Sequence, residues 1–286
     1  MSGRLPPWFK QPSADPQIMS NMAHLLDGLK LGTICESAHC PNIGGCFTAG
    51  TATFLILGEV CSRHCTFCAV PKGCPDLPDE EEPQHLLEAV ARLGLSYVVI
   101  TSVTRDDLPD GGAGHFARTI RLLHDNRPGV IVEVLIPDFL GSAEALETVV
   151  KARPEVINHN IETVPRLYPE VRPEANYRRS LALLSKVKEF DPEIVTKSGL
   201  MLGLGETGEE VREVMRDLRA AGCDLLTIGQ YLQPSAKHHP VVKFVSPEEF
   251  ADYREAGKNM GFRGVASAPL VRSSFRATEI YAELKS

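Results

Sequence analysis

Short apolar runs alternate with amphipathic stretches along most of the chain. Six runs rich in β-branched and other apolar residues are predicted to be strands: 51–57, 97–102, 130–136, 156–162, 194–202 and 225–232. Helical periodicity follows each of them, at 84–93, 115–124, 143–152, 177–190, 209–221 and 247–260. Six strand–helix pairs in succession predict parallel strands joined by crossover helices, and hence an α/β fold.

Polar residues recur within these strands, which is unusual for parallel strands buried on both faces. In the fourth strand, Asn158, Asn160 and Glu162 alternate and share one face. An open doubly wound sheet and a barrel both accommodate the series, but polar groups on the inner face favour a barrel lumen that holds a polar ligand. We expect a partial (β/α)6 TIM-type barrel over residues 51–262, with extensions at 1–50 and 263–286 that form a single structural unit with it.

Composition and charge narrow the class of protein. The chain has 286 residues, of which 43% are hydrophobic and 23% charged, and a net charge of −7. This balance is that of a globular protein and argues against nucleic acid as a partner. The apolar runs fall short of the ~18 residues of a membrane span, and the first eight residues lack the apolar core of a secretory signal. A cytoplasmic protein without a membrane partner is expected.

Cysteine use is the most informative feature of the composition. Seven of the eight cysteines fall between Cys35 and Cys74, and only Cys223 lies elsewhere. Clustered cysteines in an intracellular enzyme more often bind metal than form disulfides. Cys74 and Cys223 lie outside the motifs described next and are expected to be structural.

The first motif is CxxxCxxC, formed by Cys61, Cys65 and Cys68 in the loop after the first predicted strand. Three thiolates so close in sequence can bind three irons of a [4Fe–4S] cluster and leave the fourth iron open to a small molecule. The alternatives are free thiols or a zinc site completed by His64, although a structural zinc site usually has four ligands in two pairs.

With Phe67 in the aromatic position, the motif resembles the CxxxCx(aromatic)C signature of the radical S-adenosylmethionine superfamily. The resemblance implies that S-adenosylmethionine chelates the open iron and is cleaved by one electron to a 5′-deoxyadenosyl radical. This radical abstracts hydrogen from carbons whose C–H bonds have no acidity. The resemblance also implies that Phe67 contacts the adenine of S-adenosylmethionine.

A second motif lies upstream, where Cys35, Cys40 and Cys46 form CxxxxCxxxxxC. These residues either hold a second iron–sulfur cluster or are buried loop cysteines. Together with the Arg272–Ala277 segment near the C-terminus, the two motifs resemble the lipoyl synthase family. The resemblance extends from residues 7–10, through 101–112, to that segment, where Phe275 replaces the usual tyrosine. It implies that Ser274 supplies an oxygen ligand to the upstream cluster.

The same resemblance implies the reaction. A sulfurtransferase of this family inserts sulfur at C6 and C8 of an octanoyl chain on a carrier-protein lysine, using two S-adenosylmethionine molecules and two [4Fe–4S] clusters. The upstream cluster supplies the sulfur. A serine oxygen is a harder ligand than a thiolate and matches a soft iron–sulfur core poorly, so we expect Ser274 to mark the iron that leaves.

Further residues are expected to hold S-adenosylmethionine. Glu162 would accept hydrogen bonds from the ribose, with Asn160 beside it, Thr101 and Ser102 would meet the methionyl group, and Lys197 would pair with the carboxylate. The alternative for each is a network within the barrel lumen, such as a Glu162–Lys197 pair, because buried charges need partners.

The expected partners are an octanoylated carrier, either the glycine-cleavage H protein or a 2-oxoacid dehydrogenase E2 domain, and an electron donor such as ferredoxin or flavodoxin. A biotin-synthase-like enzyme and a two-cluster electron carrier are the alternatives. The upstream triplet argues against the biotin-synthase-like enzyme. Two-cluster electron carriers are small proteins that bind each cluster through four cysteines, which this chain does not match. The GxGxxG at residues 203–208 lies in the fifth strand–helix unit and is expected to be a tight turn, since a dinucleotide site uses the first.

Overall fold

The computed structural model describes residues 5–11, 14–282 and 284. The strands in these ranges are Gly32–Thr33 (β1), Thr53–Ile56 (β2), Tyr97–Ser102 (β3), Ile131–Leu135 (β4), Val156–Asn158 (β5), Val195–Leu202 (β6), Leu225–Gln230 (β7) and Gly264–Ser267 (β8). The helices are Pro16–Gly28 (α1), Ile34–Ser37 (α2), Ile43–Thr48 (α3), Glu82–Leu93 (α4), Ala113–Asn126 (α5), Ala143–Val150 (α6), Tyr168–Val171 (α7), Tyr177–Phe190 (α8), Gly208–Ala220 (α9), Pro247–Asn259 (α10) and Ala277–Ala282 (α11). The first four residues, which belong to the segment used to assess a secretory signal, lie outside the described part.

The strands form one sheet in which their spatial order is their order along the chain. Strands β2 to β8 pair in parallel, and β1 runs antiparallel to β2. Each strand from β2 to β7 is followed by a helix that returns the chain to the start of the next strand, as parallel pairing requires. The predicted partial (β/α)6 barrel is thus confirmed.

Local signals explain where most elements begin and end. Ser142, Thr207 and Ser246 cap α6, α9 and α10 through their side chains, and the last two form capping boxes. The fourth predicted strand, 156–162, corresponds to β5, which already ends at Asn158. Glu162 has a φ of 65°, in the left-handed region that cannot continue a strand. It returns to the sheet only through an isolated bridge to Leu200.

Both predicted extensions add a strand to the barrel sheet. β1 lies at one edge and β8 at the other, and neither was predicted because they have only two and four residues. The two extensions also meet directly, since Asn42 Nδ2 donates to Leu270 O at 2.7 Å.

The interior of the barrel is filled in levels along its axis. At the amino-terminal end of the strands, α11 packs its Ile280 and Tyr281 against inward-facing residues such as Tyr97 and Val156. Above this apolar level lies a buried ionic level, described below, and above that an open polar cavity. Among the described residues, no helix has both the length and the apolar character needed to cross a membrane.

Candidate active site

A cavity of about 510 Å³ opens where the parallel strands end. The residues that follow the strands form its walls, which is where barrels and parallel sheets place their ligand sites. Ser274 and five of the six motif cysteines line it: Cys35, Cys40, Cys61, Cys65 and Cys68. Cys46 is half-buried near Cys40. Two motifs separated in the sequence are therefore brought to one site.

A buried arginine fixes the CxxxCxxC loop. Arg63 donates from Nε to Asp106 Oδ2 and from Nη2 to Asp138 Oδ1, both at 2.6 Å. Although burial favours the neutral form of Asp138, Arg63 lowers the pKa of that carboxyl to about 2. Because Arg63 lies between Cys61 and Cys65, this ion-pair network holds the loop in shape through the protein alone.

The thiols of this loop suit an iron–sulfur cluster. Burial raises the pKa of Cys68 to about 12 and also raises that of Cys65, where the charge of Arg172 partly offsets it. Iron is bound by thiolates, so loading the site must displace these protons. Cys61, Cys65 and Cys68 all line one cavity, and three cysteine ligands with an open fourth position are the set the sequence predicted.

The zinc alternative finds no support in the geometry. His64 is exposed and its Nδ1 lies 3.0 Å from Glu174 Oε1, outside the cavity lining. Within the described ranges, no group of three or more His, Cys, Asp or Glu side chains is arranged to hold a single metal ion.

The upstream cysteines are arranged on two short helices. Cys35 belongs to α2 and Cys46 to α3, and Cys40 N donates to Cys35 O at 2.9 Å between them. Burial, together with the nearby Cys40 and Cys46, raises the pKa of Cys35 to about 11, although a hydrogen bond from the Thr53 backbone partly offsets this. The three thiols are mutually close, and Cys35 and Cys40 line the cavity, which fits a second cluster better than it fits isolated loop cysteines.

The C-terminal segment closes the cavity next to these cysteines. Residues 271–274 line it. Ser273 Oγ lies 2.9 Å from Asn160 Oδ1, to which it donates a hydrogen bond. The Ser274 hydroxyl makes no hydrogen bond to any described residue, so it remains available as a ligand. In the sequence, only the family resemblance indicates which of the two serines, Ser273 or Ser274, supplies the oxygen ligand.

Most of the predicted S-adenosylmethionine contacts also reach the cavity. Phe67, Thr101, Asn160 and Glu162 line it. Asn160 Nδ2 donates to Glu162 Oε1 at 3.0 Å. Burial raises the pKa of Glu162, and the neighbouring Arg172 and Asn160 only partly offset this. The Thr101 hydroxyl is already engaged by Leu135 O at 3.1 Å.

Three buried polar atoms of described cavity-lining residues lack a protein partner. They are Ser102 Oγ, Asn158 Oδ1 and Arg172 Nε. Buried polar groups in folded proteins are almost always paired, so unpaired ones at a cavity point to a polar ligand. This donor and acceptor set, with the carboxylate of Glu162, suits a molecule rich in hydroxyl and amino groups such as S-adenosylmethionine.

The prediction for Lys197 is wrong. Its Nζ lies 2.8 and 3.1 Å from the two oxygens of Glu133, and both side chains are fully buried. Tyr97 OH donates to the same carboxylate at 2.6 Å. Lys197 therefore belongs to the ionic level beneath the cavity, where Glu133 and not Glu162 is its partner.

Several residues at the site were missed or misplaced by sequence reasoning. Arg172, which donates to Asn160 O at 3.0 Å and Ile161 O at 3.1 Å, lies in a loop without periodicity and gave no signal. Arg272 lines the cavity but was not among the predicted contacts. His239 is buried, with Nε2 3.0 Å from Leu204 O, and was not predicted either. The first two glycines of the GxGxxG lie in the expected turn, with φ of 97° at Gly203 and 115° at Gly205, and Gly208 begins α9.

Comparisons with known proteins agree with this geometry. The model of the radical SAM superfamily matches residues 55–218. Lipoyl synthase of Caldanaerobacter subterraneus subsp. tengcongensis is 59% identical over 277 residues, which are 97% of this chain and 97% of the relative. Lipoyl synthase of Aquifex aeolicus is 60% identical over 255 residues, 89% of this chain and 92% of the relative.

Solved structures show the same fold at low identity. The crystal structure of methylornithine synthase is similar with a TM-score of 0.56 and 14% identity, over 72% of this chain and 62% of that one. A maturase of the [FeFe]-hydrogenase gives a TM-score of 0.58 and 16% identity, over 74% of this chain and 49% of that one.

Proposed function

Because the chain belongs to the lipoyl synthases of the radical SAM superfamily, we propose that its cavity holds two [4Fe–4S] clusters and S-adenosylmethionine side by side. The enzyme is a sulfurtransferase that inserts two sulfur atoms at C6 and C8 of an octanoyl chain on a carrier-protein lysine. One observation carries the proposal for the site: five of the six motif cysteines and Ser274 line a single cavity of about 510 Å³, and Cys46 lies near Cys40.

We assign the cluster ligands by position. Cys61, Cys65 and Cys68 would hold the catalytic cluster, which supplies the electron for cleaving S-adenosylmethionine, the source of the radical that removes hydrogen. Cys35, Cys40 and Cys46 with Ser274 would hold the upstream cluster, which supplies sulfur. The free hydroxyl of Ser274 and the engaged hydroxyl of Ser273 support this choice of oxygen ligand.

The other residues of the cavity bind and orient S-adenosylmethionine. Ser102 and Asn158 offer unpaired polar atoms at the cavity wall. Glu162 would accept hydrogen bonds from the ribose hydroxyls, and Phe67 would contact the adenine. Arg172 holds the backbone at Asn160 and Ile161 and so fixes the turn that presents Glu162.

The wider setting follows from the family and stays a proposal in its details. The carrier is proposed to be the H protein or an E2 lipoyl domain, the electron donor ferredoxin or flavodoxin, and the compartment the cytoplasm. Residues 1–50 and 263–286 are proposed to act as extensions of one unit built on the barrel at 51–262, consistent with the strands they add to its sheet.

An anaerobic assay tests the proposed function. The reconstituted protein is incubated with an octanoyl-lysine peptide, S-adenosylmethionine and a one-electron reductant, and products are followed by mass spectrometry. We expect a lipoyl peptide and two molecules of 5′-deoxyadenosine per lipoyl group formed. Formation of 5′-deoxyadenosine without any thiolated peptide would contradict the proposal.

Replacing Glu162 with alanine is expected to weaken S-adenosylmethionine binding about 10- to 100-fold, since hydrogen bonds to a charged group contribute about 1.5–3 kcal/mol. Equilibrium dialysis without reductant measures the affinity, and iron content reports on the clusters. The matched control is Glu189→Ala, which replaces an exposed glutamate of α8. It should change neither the affinity for S-adenosylmethionine nor the iron content. Unchanged affinity in Glu162→Ala with a full iron content would remove Glu162 from the site.

A further inference from the structure

A short hydrogen-bond chain connects the two halves of the cavity. Ser273 Oγ donates to Asn160 Oδ1 at 2.9 Å, and Asn160 Nδ2 donates to Glu162 Oε1 at 3.0 Å. One end of this chain adjoins Ser274, the next residue along the C-terminal segment. The other end is the carboxylate assigned to S-adenosylmethionine. The chain spans 113 residues in sequence between Ser273 and Asn160.

Strand β6 leaves room for this chain only because position 199 is glycine. A Cβ there would lie 2.6 Å from Asn160 Oδ1 and 2.8 Å from Ser273 Oγ. Real Cβ atoms do not approach other atoms so closely, so any other residue would force the two side chains apart. The contact is therefore built into the packing of the strand.

The chemistry of an amide gives the contact a specific effect. The oxygen and nitrogen of an asparagine side chain exchange places when the amide turns over. An ionised carboxylate only accepts hydrogen bonds, so Glu162 draws Nδ2 of Asn160 toward itself and leaves Oδ1 facing Ser273. The Ser273 hydroxyl donates to that oxygen and so holds the amide at its other end. Without the hydroxyl, Oδ1 loses its partner, and Asn160 is held only through its contact with Glu162.

We propose that Ser273 is a positioning residue that acts through Asn160 to orient Glu162 toward S-adenosylmethionine, and thereby couples occupancy of the S-adenosylmethionine site to the upstream cluster. This inference rests on the proposed function, because the coupling requires Ser274 to bind that cluster. Binding free energies at linked sites are reciprocal. A C-terminal segment fixed by iron at Ser274 therefore favours S-adenosylmethionine binding, and S-adenosylmethionine favours the fixed segment.

The test measures S-adenosylmethionine affinity by equilibrium dialysis in oxidised, reconstituted protein, so no turnover occurs. Ser273→Ala is expected to weaken binding about threefold to tenfold, as loss of one hydrogen bond does, while keeping about eight irons per chain. The control Ser185→Ala removes a hydroxyl that donates to Ala221 O at 3.3 Å outside the cavity, and it should leave the affinity unchanged.

A cycle of variants tests the coupling and the route. Alanine at Cys35, Cys40 and Cys46 should weaken binding in the wild-type background but add nothing in the Ser273→Ala background. Asn160→Ala should weaken binding by itself, and Ser273→Ala should add nothing to it. The inference is overturned if Ser273→Ala stays within twofold of wild type, or if the losses simply multiply. A wild type with about four irons that the triple variant retains would instead count against the upstream cluster.

Discussion

Alanine substitution of Cys35, Cys40 and Cys46 together is expected to halve the iron content of the reconstituted protein, from about eight irons per chain to about four. Sulfur insertion should be lost completely, because these residues are assigned to the cluster that supplies sulfur. Cleavage of S-adenosylmethionine should persist, since Cys61, Cys65 and Cys68 line their own part of the cavity. Iron and sulfide analysis with 5′-deoxyadenosine measurement checks all three expectations.

The exposed Cys74 provides the control for this experiment. Cys74→Ala removes a thiol of the same region from outside both motifs and should keep about eight irons and full activity. A triple variant that still thiolates the octanoyl peptide would contradict the assignment of the sulfur source. A wild type that binds only about four irons, all kept by the triple variant, would contradict the upstream cluster itself.

Replacing Lys197 with methionine is expected to destabilise the protein by about 3–5 kcal/mol, because it leaves Glu133 as an unpaired charge in the core. The pair is fully buried, and burial together with Glu133 raises the pKa of Tyr97, so that hydroxyl stays protonated and donates to the carboxylate. One hydrogen bond from Tyr97 does not replace the charge of Lys197. Urea denaturation of the iron-free protein measures the loss.

Two further variants identify the cause of that loss. Lys151→Met removes an exposed lysine paired with Glu147 and should change stability by less than about 0.5 kcal/mol. The double variant Lys197→Met/Glu133→Gln removes the isolated charge but keeps an oxygen for Tyr97, so it should recover more than half of the stability. If the double variant is no more stable than Lys197→Met, the loss comes from packing and not from charge.

The repeating part of the fold could be predicted from the sequence because each of its units carries its own signal. Apolar periodicity and caps such as Thr207 act within one strand or helix, and they located the six strand–helix units. β1 and β8 lack such a signal, since two and four residues are too few to show a period. Their pairing depends on the barrel edge already being in place.

Site residues that belong to a local sequence motif could be predicted, whereas those that act through contacts with distant residues were missed. Each cysteine motif lies within a short stretch of sequence, so its spacing predicts what it binds. Arg63 and Asp138 lie 75 positions apart, and no local pattern connects them. Lys197 was expected to pair with the carboxylate of S-adenosylmethionine for a related reason: its actual partner, Glu133, lies 64 positions away on β4, and no local pattern connects the two.

The meeting of the two extensions at the cavity has a consequence for the order of synthesis. The upstream cysteines leave the ribosome early, whereas Ser274 follows Cys46 by 228 residues (274 − 46). At about 5–20 residues per second, these thiols wait roughly 10–45 s for the hydroxyl that is proposed to complete their set of ligands. β8 and α11, which close the edge and the base of the barrel, are made in the same late interval. Translation thus delivers the proposed ligands of the sulfur-supplying cluster at two separate times. With that ligand set, the cluster can reach its full coordination only once nearly the whole chain has been made.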